Sequence, residues 1–254
     1  MRRVAVITGA SRGMGLAMAQ QLLDAGWHLL CIARKPDASL EARATASGGS
    51  CVQWALDLAE PAPAAARLSA WLQSRDAEPI GEVVLINNAA VVGRIAPLRD
   101  IAPADLADAM RINLEAPLLL TAAFLQATEG WKARRKVLNI SSGLGRRAMA
   151  ASAAYCAAKA GMDHFTRCVA LEEAGKPHGA RLCALAPGVI DTDMQVQLRG
   201  ADASQFPDIG SFIGMKEKGA LSSPQQAAAQ VLAFLARPEF GSKPVGLACS
   251  ARQN

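Results

Sequence analysis

The stretch "VAVITGASRGMG", residues 4–15, decides the fold. Four apolar residues, Val4–Ile7, read as a strand buried on both faces. Gly9 then permits a tight turn, and an apolar pattern of helical period starts near residue 13. Gly13 and Gly15 let a pyrophosphate come close to the backbone and let the helix pack closely on the sheet. Ser11, Arg12 and Met14 complete the loop. The helix N-terminus contributes unpaired N–H groups and a positive dipole end, which suits phosphate. Glycines alone are weak evidence; the strand–turn–helix context gives them meaning.

The same residues, "GASRG" at 9–13, also match G-x-S-x-G, a nucleophile elbow that would make Ser11 the attacking group. That chemistry needs an acid and then a histidine downstream. The last histidine is His178, so the final third of the chain has none. Dinucleotide binding is the better reading.

Outward from this loop, short apolar runs alternate with longer helical patterns. Strands are predicted at 4–8, 28–33, 51–56, 82–87, 136–141 and 181–186, with a last short one around 244–249. Helices are predicted near 13–25, 60–75, 103–128, 152–174 and 223–236. The alternation implies βαβ units, hence a Rossmann-like three-layer α/β/α sandwich on a doubly wound parallel sheet. No linker or repeat divides residues 1–254, so one domain is expected. The stretch 193–220 is polar, Gly-dotted and weakly periodic, which suggests a mobile substrate lid.

The end of the second strand, "LLCIARKPD", bears on the choice of cofactor. An NAD binder usually has an acid there for the ribose hydroxyls. This chain has Ala33, Arg34 and Lys35, with Arg12 able to reach the same place. Guanidinium groups suit a 2′-phosphate through bidentate charged hydrogen bonds, so NADP(H) is expected. Asp37 is more plausible as a cap for the next helix.

Bulk properties exclude other classes. The 254 residues are 51% hydrophobic and 19% charged, with mean hydropathy +0.16, net charge +5 and pI near 9.0. The basic run "WKARRK" (131–136) lacks interleaved aromatics and reads as a solvated loop rather than a nucleic-acid surface. The Val4–Ile7 run is too short for a secretory signal, and stretches such as 116–128 are too short to span a bilayer. Cysteines 31, 51, 156, 168, 183 and 249 form no CxxC pair, and the three histidines form no HxxxH. No metal site is expected, and the cytoplasm is the expected compartment.

Further motifs follow in order: Asp57 and Leu58 in "ALDL", "NNAA" at 87–90, Asn113 in "RINLEAP", "NISSG" at 139–143, "YCAAK" at 155–159 and "APGVIDT" at 186–192. With T-G-x-x-x-G-x-G at 8–15, this set resembles the short-chain dehydrogenase/reductase family over nearly the whole chain. The resemblance implies catalytic roles for Asn113, Ser142, Tyr155 and Lys159. Ser142 is selected over Ser141 because the family's serine stands thirteen residues before the tyrosine. The resemblance also implies that Asp57, Leu58, Asn88, Ala89, Pro187, Gly188, Val189 and Thr192 contact the cofactor. Asn113 would hold a relay water, and Lys159 would bind the nicotinamide ribose.

The chemistry of Tyr155, the only tyrosine, fits that role. Residues i and i+4 share a helix face, so Tyr155 and Lys159 project together. A free phenol has a pKa of about 10, and a nearby ammonium favours its ionised form. Tyr155 would give a proton to a forming alkoxide or take one from an alcohol, while Ser142 bonds the carbonyl oxygen.

Within the family the chain most resembles the sepiapterin reductase and benzil reductase branch. Sepiapterin reductase ends in a strand whose acid anchors the pterin; here "VGLAC" puts Gly246 and Cys249 where acids would stand. A less polar ketone or diketone is therefore expected, with sepiapterin or a 3-oxoacyl substrate as the alternative. Val91, Leu144, Met149, Pro187 and Met194 are the candidate pocket residues; Arg146 and Arg147 read as a solvated turn. The family implies a homodimer or homotetramer built on the helices at 103–128 and 152–174. A weakly catalytic NADP(H)-binding sensor is the reading from another class.

Overall fold

A computed structural model describes residues 1–248 of the chain; Cys249, placed above opposite an acid, lies outside the described residues. The strands are β1 (Arg2–Thr8), β2 (His28–Ala33), β3 (Ser50–Ala55), β4 (Ile80–Asn87), β5 (Arg134–Ile140), β6 (Arg181–Ala186) and β7 (Val245–Leu247). They form one parallel sheet in the order β3-β2-β1-β4-β5-β6-β7. The order reverses between β1 and β4, so a crevice opens beyond their carboxyl ends, where ligands of such sheets bind.

Alternation along the strands divides the core between two faces. In β1, Ala5 and Ile7 face one layer while Val4 and Val6 face the other; Val84 and Ile86 of β4 alternate with Val83 and Leu85 likewise. One face is covered by α1 (Gly13–Asp24), α2 (Ser39–Ser47) and α9 (Pro224–Leu235), through residues such as Leu23, Leu40 and Val231. The other is covered by α3 (Pro61–Gln73) and α5 (Ala116–Ala127), through Leu68, Leu72, Leu120 and Phe124, with α6 (Ala153–Ala174) beside them.

Several sequence expectations change. The basic run is not a solvated loop, because its second half begins β5. Arg135 is buried against Glu173 at 3.2 Å, and Lys136 against Glu82 at 2.8 Å. Burial drives this pairing, since an unpaired buried charge is far too costly. The helix expected at 103–128 is two, α4 (Pro103–Met110) and α5, joined by a π turn at Arg111–Glu115. Pro117 has no N–H to give the carbonyl of Asn113 four residues back, so the ordinary α ladder cannot run through this point. The weakly periodic stretch 193–220 holds α7 (Asp193–Arg199) and α8 (Ile209–Glu217). Leu198 of α7, Phe212 of α8 and Phe206 between them pack on Val92, Ile95 and Met149 in a third apolar cluster. No helix among the described residues is long and apolar enough to cross a membrane.

Candidate active site

The glycine loop is locked to the end of β4. The Thr8 hydroxyl accepts from the backbone N–H groups of Asn88 and Ala89, both at 3.0 Å. The Asn88 side-chain amide in turn donates to the carbonyls of Thr8 and Gly9. A Cβ at Gly15 would stand 2.1 Å from the Gly9 carbonyl oxygen, so only glycine lets the helix come this close. Gly13 has φ +55°, a left-handed conformation that glycine takes without strain. No side chain caps α1, which leaves its first-turn N–H groups for a ligand. Thr192 stands over Gly13, bringing the "APGVIDT" turn onto the same loop.

Arg34 and Lys35 are exposed at the end of β2. Asp37 is occupied locally. Its carboxylate accepts from the backbone and hydroxyl of Ser39, and Gln53 clasps its main chain from β3. Arg12 differs from expectation: it pairs with Asp193 at the start of α7, at 2.8 Å, instead of lying with Arg34 and Lys35. Asp57 accepts from the Ala59 N–H, and Leu58 is buried. Pro187 is partly buried, whereas Gly188 and Val189 are exposed. The uncapped helix and the close-packed glycine loop together fit the pyrophosphate of a dinucleotide.

Tyr155 and Lys159 lie on α6 and are both buried, with the ammonium 5.7 Å from the phenol ring centroid. The Lys159 Nζ donates to the Ile140 carbonyl at 2.7 Å, tying α6 to the end of β5. Burial pulls Lys159 down to about 8, against the opposing charge of Asp163. Burial likewise pushes the Tyr155 phenol up to about 12, against the pull of the Ser142 hydroxyl. Ser142 opens the short helical turn Gly143–Gly145, and its oxygen accepts the Leu144 N–H at 3.1 Å. The serine, tyrosine and lysine are thus brought together.

Asn113 is fully buried in the π turn. Its side chain clasps the backbone of Val91 both ways, at 2.8 and 3.0 Å, so its amide is already occupied. Pro117, in "RINLEAP", cannot bond the Asn113 main-chain carbonyl in the ordinary four-residue pattern. Leu144, Met149 and Met194 do meet in the third apolar cluster, but Val91 stays outside it. Sequence reading missed Val92, Ile95, Cys156, Phe206 and Phe212 there, because their contacts join segments far apart in the chain. Arg146 is not merely solvated: it pairs with buried Asp163 at 2.9 Å and reaches the Gly246 carbonyl.

The family model for short chain dehydrogenases matches residues 3–203. The chain belongs to the short-chain dehydrogenase family. This membership makes it an oxidoreductase of the nicotinamide-dependent kind. It is 35% identical over 238 residues to a benzil reductase ((S)-benzoin forming) of Bacillus cereus, covering 94% of this chain and 96% of that one. It is 33% identical over 258 residues to the sepiapterin reductase of Xenopus tropicalis, covering 93% and 92%. The fold matches a 3-oxoacyl-[acyl-carrier protein] reductase from Brucella melitensis in complex with NAD, with TM-score 0.80 and 23% identity, over 98% of this chain and 96% of that one. At that identity the likeness carries the fold alone.

Proposed function

We propose that this chain is an NADPH-dependent carbonyl reductase for apolar ketones or vicinal diketones, with Tyr155 as the proton donor. The observation that carries the reading is the grouping of partly buried Ser142 with buried Tyr155 and Lys159, in which the phenol is held neutral at ordinary pH. A proton donor has to arrive protonated, and this one does. The likeness to benzil and sepiapterin reductases supports a carbonyl substrate, and the apolar cluster of Leu144, Met149, Met194 and Phe212 supports an apolar one.

The glycine loop and the α1 N-terminus bind the pyrophosphate, with Asp57, Asn88, Ala89 and the 187–192 turn along the rest of the cofactor. Arg34 and Lys35 hold the 2′-phosphate. Arg12 joins them by leaving Asp193, an exposed pair worth less than about 1 kcal/mol. The bound nicotinamide supplies the hydride. Ser142, whose oxygen already accepts the Leu144 N–H, turns its own proton to the substrate oxygen and stabilises the charge that develops there. Tyr155 gives its proton to that oxygen. Lys159, charged below about pH 8, stabilises the phenolate left behind and binds the ribose. Asn113 holds the relay water through its main-chain carbonyl. The segment 193–220 acts as the lid, and homo-oligomers form on the helices at 103–128 and 152–174.

The test follows oxidation of NADPH and of NADH with benzil, aryl diketones, isatin and sepiapterin. NADPH should be preferred and benzil-like substrates should react well. Tyr155→Phe should lose on the order of 10²–10⁴-fold in kcat while still binding cofactor. Tight NADPH binding with no turnover across the panel would instead indicate a sensor. Equal use of NADH would overturn the phosphate assignment.

A further inference from the structure

Beneath the site lies an ionic cluster, centred on a buried carboxylate, that the reaction as described does not use. Asp163 is only 2% exposed, and both its oxygens are engaged. One accepts the Ser141 hydroxyl at 2.5 Å, and the other accepts the Arg146 Nε at 2.9 Å. Both partners belong to the loop that carries Ser142. Asp163 itself stands one turn after Lys159 on α6, the helix that also carries Tyr155. A second contact joins the same two elements. A Cβ on Gly145 would stand 2.9 Å from the Lys159 carbonyl oxygen, so the serine loop rests on the helix backbone at the lysine. Arg146 carries the linkage on to β7 through the Gly246 carbonyl at 3.1 Å.

We propose that Asp163 is a positioning residue for the reaction, clamping the Ser142 loop onto the helix that carries Tyr155 and Lys159. The inference rests on the carbonyl-reductase reading and names a part of that same site. The serine and tyrosine lie on separate elements, yet both must reach one substrate oxygen. Small displacements between such groups cost large factors in rate. A buried carboxylate bonded to both residues flanking the serine turn fixes that separation. A neutral side chain could form some of the bonds but would not supply the charge.

The charge has its own effect. Around Lys159 stand Tyr155, Met162 and Asp163 on its own helix and the Ile140 carbonyl of β5, while Arg146 of the serine loop and Cys183 of β6 act on Asp163. Burial pushes the Cys183 thiol up to about 12, so it stays neutral. Asp163 is the anion in this group that offsets the desolvation of the ammonium.

Two variants with opposite charge effects separate this role from simple structural support. Asp163→Asn should lower kcat on the order of tenfold to a hundredfold with KM little changed. The fall in NADPH affinity with rising pH, read by nicotinamide fluorescence, should move to lower pH by about one unit as Lys159 loses its anion. Arg146→Met, which leaves Asp163 in place and unneutralised, should move that midpoint to higher pH. Midpoints that do not move, move in the same direction, or are absent in the wild type overturn the proposal. A wild type that binds NADPH but reduces no carbonyl would refute the reductase reading, while the binding midpoints would still decide on Asp163.

Discussion

At the scale of single residues, the site trades stability for chemistry. Lys159 is fully buried, and folding takes its pKa from 10.5 to about 8, a difference worth about 3 kcal/mol while the unfolded side chain is charged. Lys159→Met should therefore abolish turnover and yet stabilise the fold by about 1–3 kcal/mol at neutral pH, after allowing for the lost bond to Ile140. A lysine whose folded pKa is depressed binds fewer protons folded than unfolded between the two values, so the wild type gains stability as pH rises from about 8 to 10.5. The advantage of the methionine variant should be full below pH 8 and gone above 10.5. Urea denaturation at several pH values checks this; an advantage constant across that window would show that the lysine charge was not responsible. The residue identities were legible in the sequence because Ser142, Tyr155 and Lys159 sit in local motifs. Their protonation was not, because desolvation depends on what the rest of the chain packs around them.

At the scale of elements, the sequence was most readable where period and punctuation agree. The glycine loop, α1 and the strands follow from apolar runs and glycine spacing. The π turn was missed, although Pro117 signalled it, because a break of helix type leaves the apolar period almost intact. The two short helices within 193–220 were not predicted, for another reason. They are held by Phe206, Phe212 and Leu198 packing on residues some hundred positions earlier, and no local pattern records that. This third cluster is separate from the two sheet cores. Phe206→Ala should thus cost about 3 kcal/mol, but as local opening rather than global unfolding. Hydrogen exchange should rise in 193–220 with little change in the strands, and KM for the carbonyl should rise. Uniformly faster exchange throughout the sheet would contradict the separation.

At the scale of the molecule, surface features bear on assembly. Leu118 on α5 and Leu171 on α6 are 43% and 79% exposed, on the helices proposed for oligomer contacts. Leu171→Glu should shift the protein toward monomer in sedimentation and lower Tm by several degrees, since a charge buried at an apolar interface lacks a partner. Sedimentation of the variant identical to a wild-type oligomer would rule out this face.

Taken by itself, the sequence determined the class of fold and the glycine loop, because each is written in neighbouring residues whose spacing has a direct geometric meaning, and its resemblance to a family picked out Ser142, Tyr155 and Lys159 as candidates. Only the tertiary structure decided the rest. It paired Arg146 with Asp163 and Arg12 with Asp193 on α7, occupied the Asn113 amide with Val91 and buried half of the basic run. Each of these joins residues distant in the chain, and the energies that select them, desolvation and charge pairing, arise only once the core has closed.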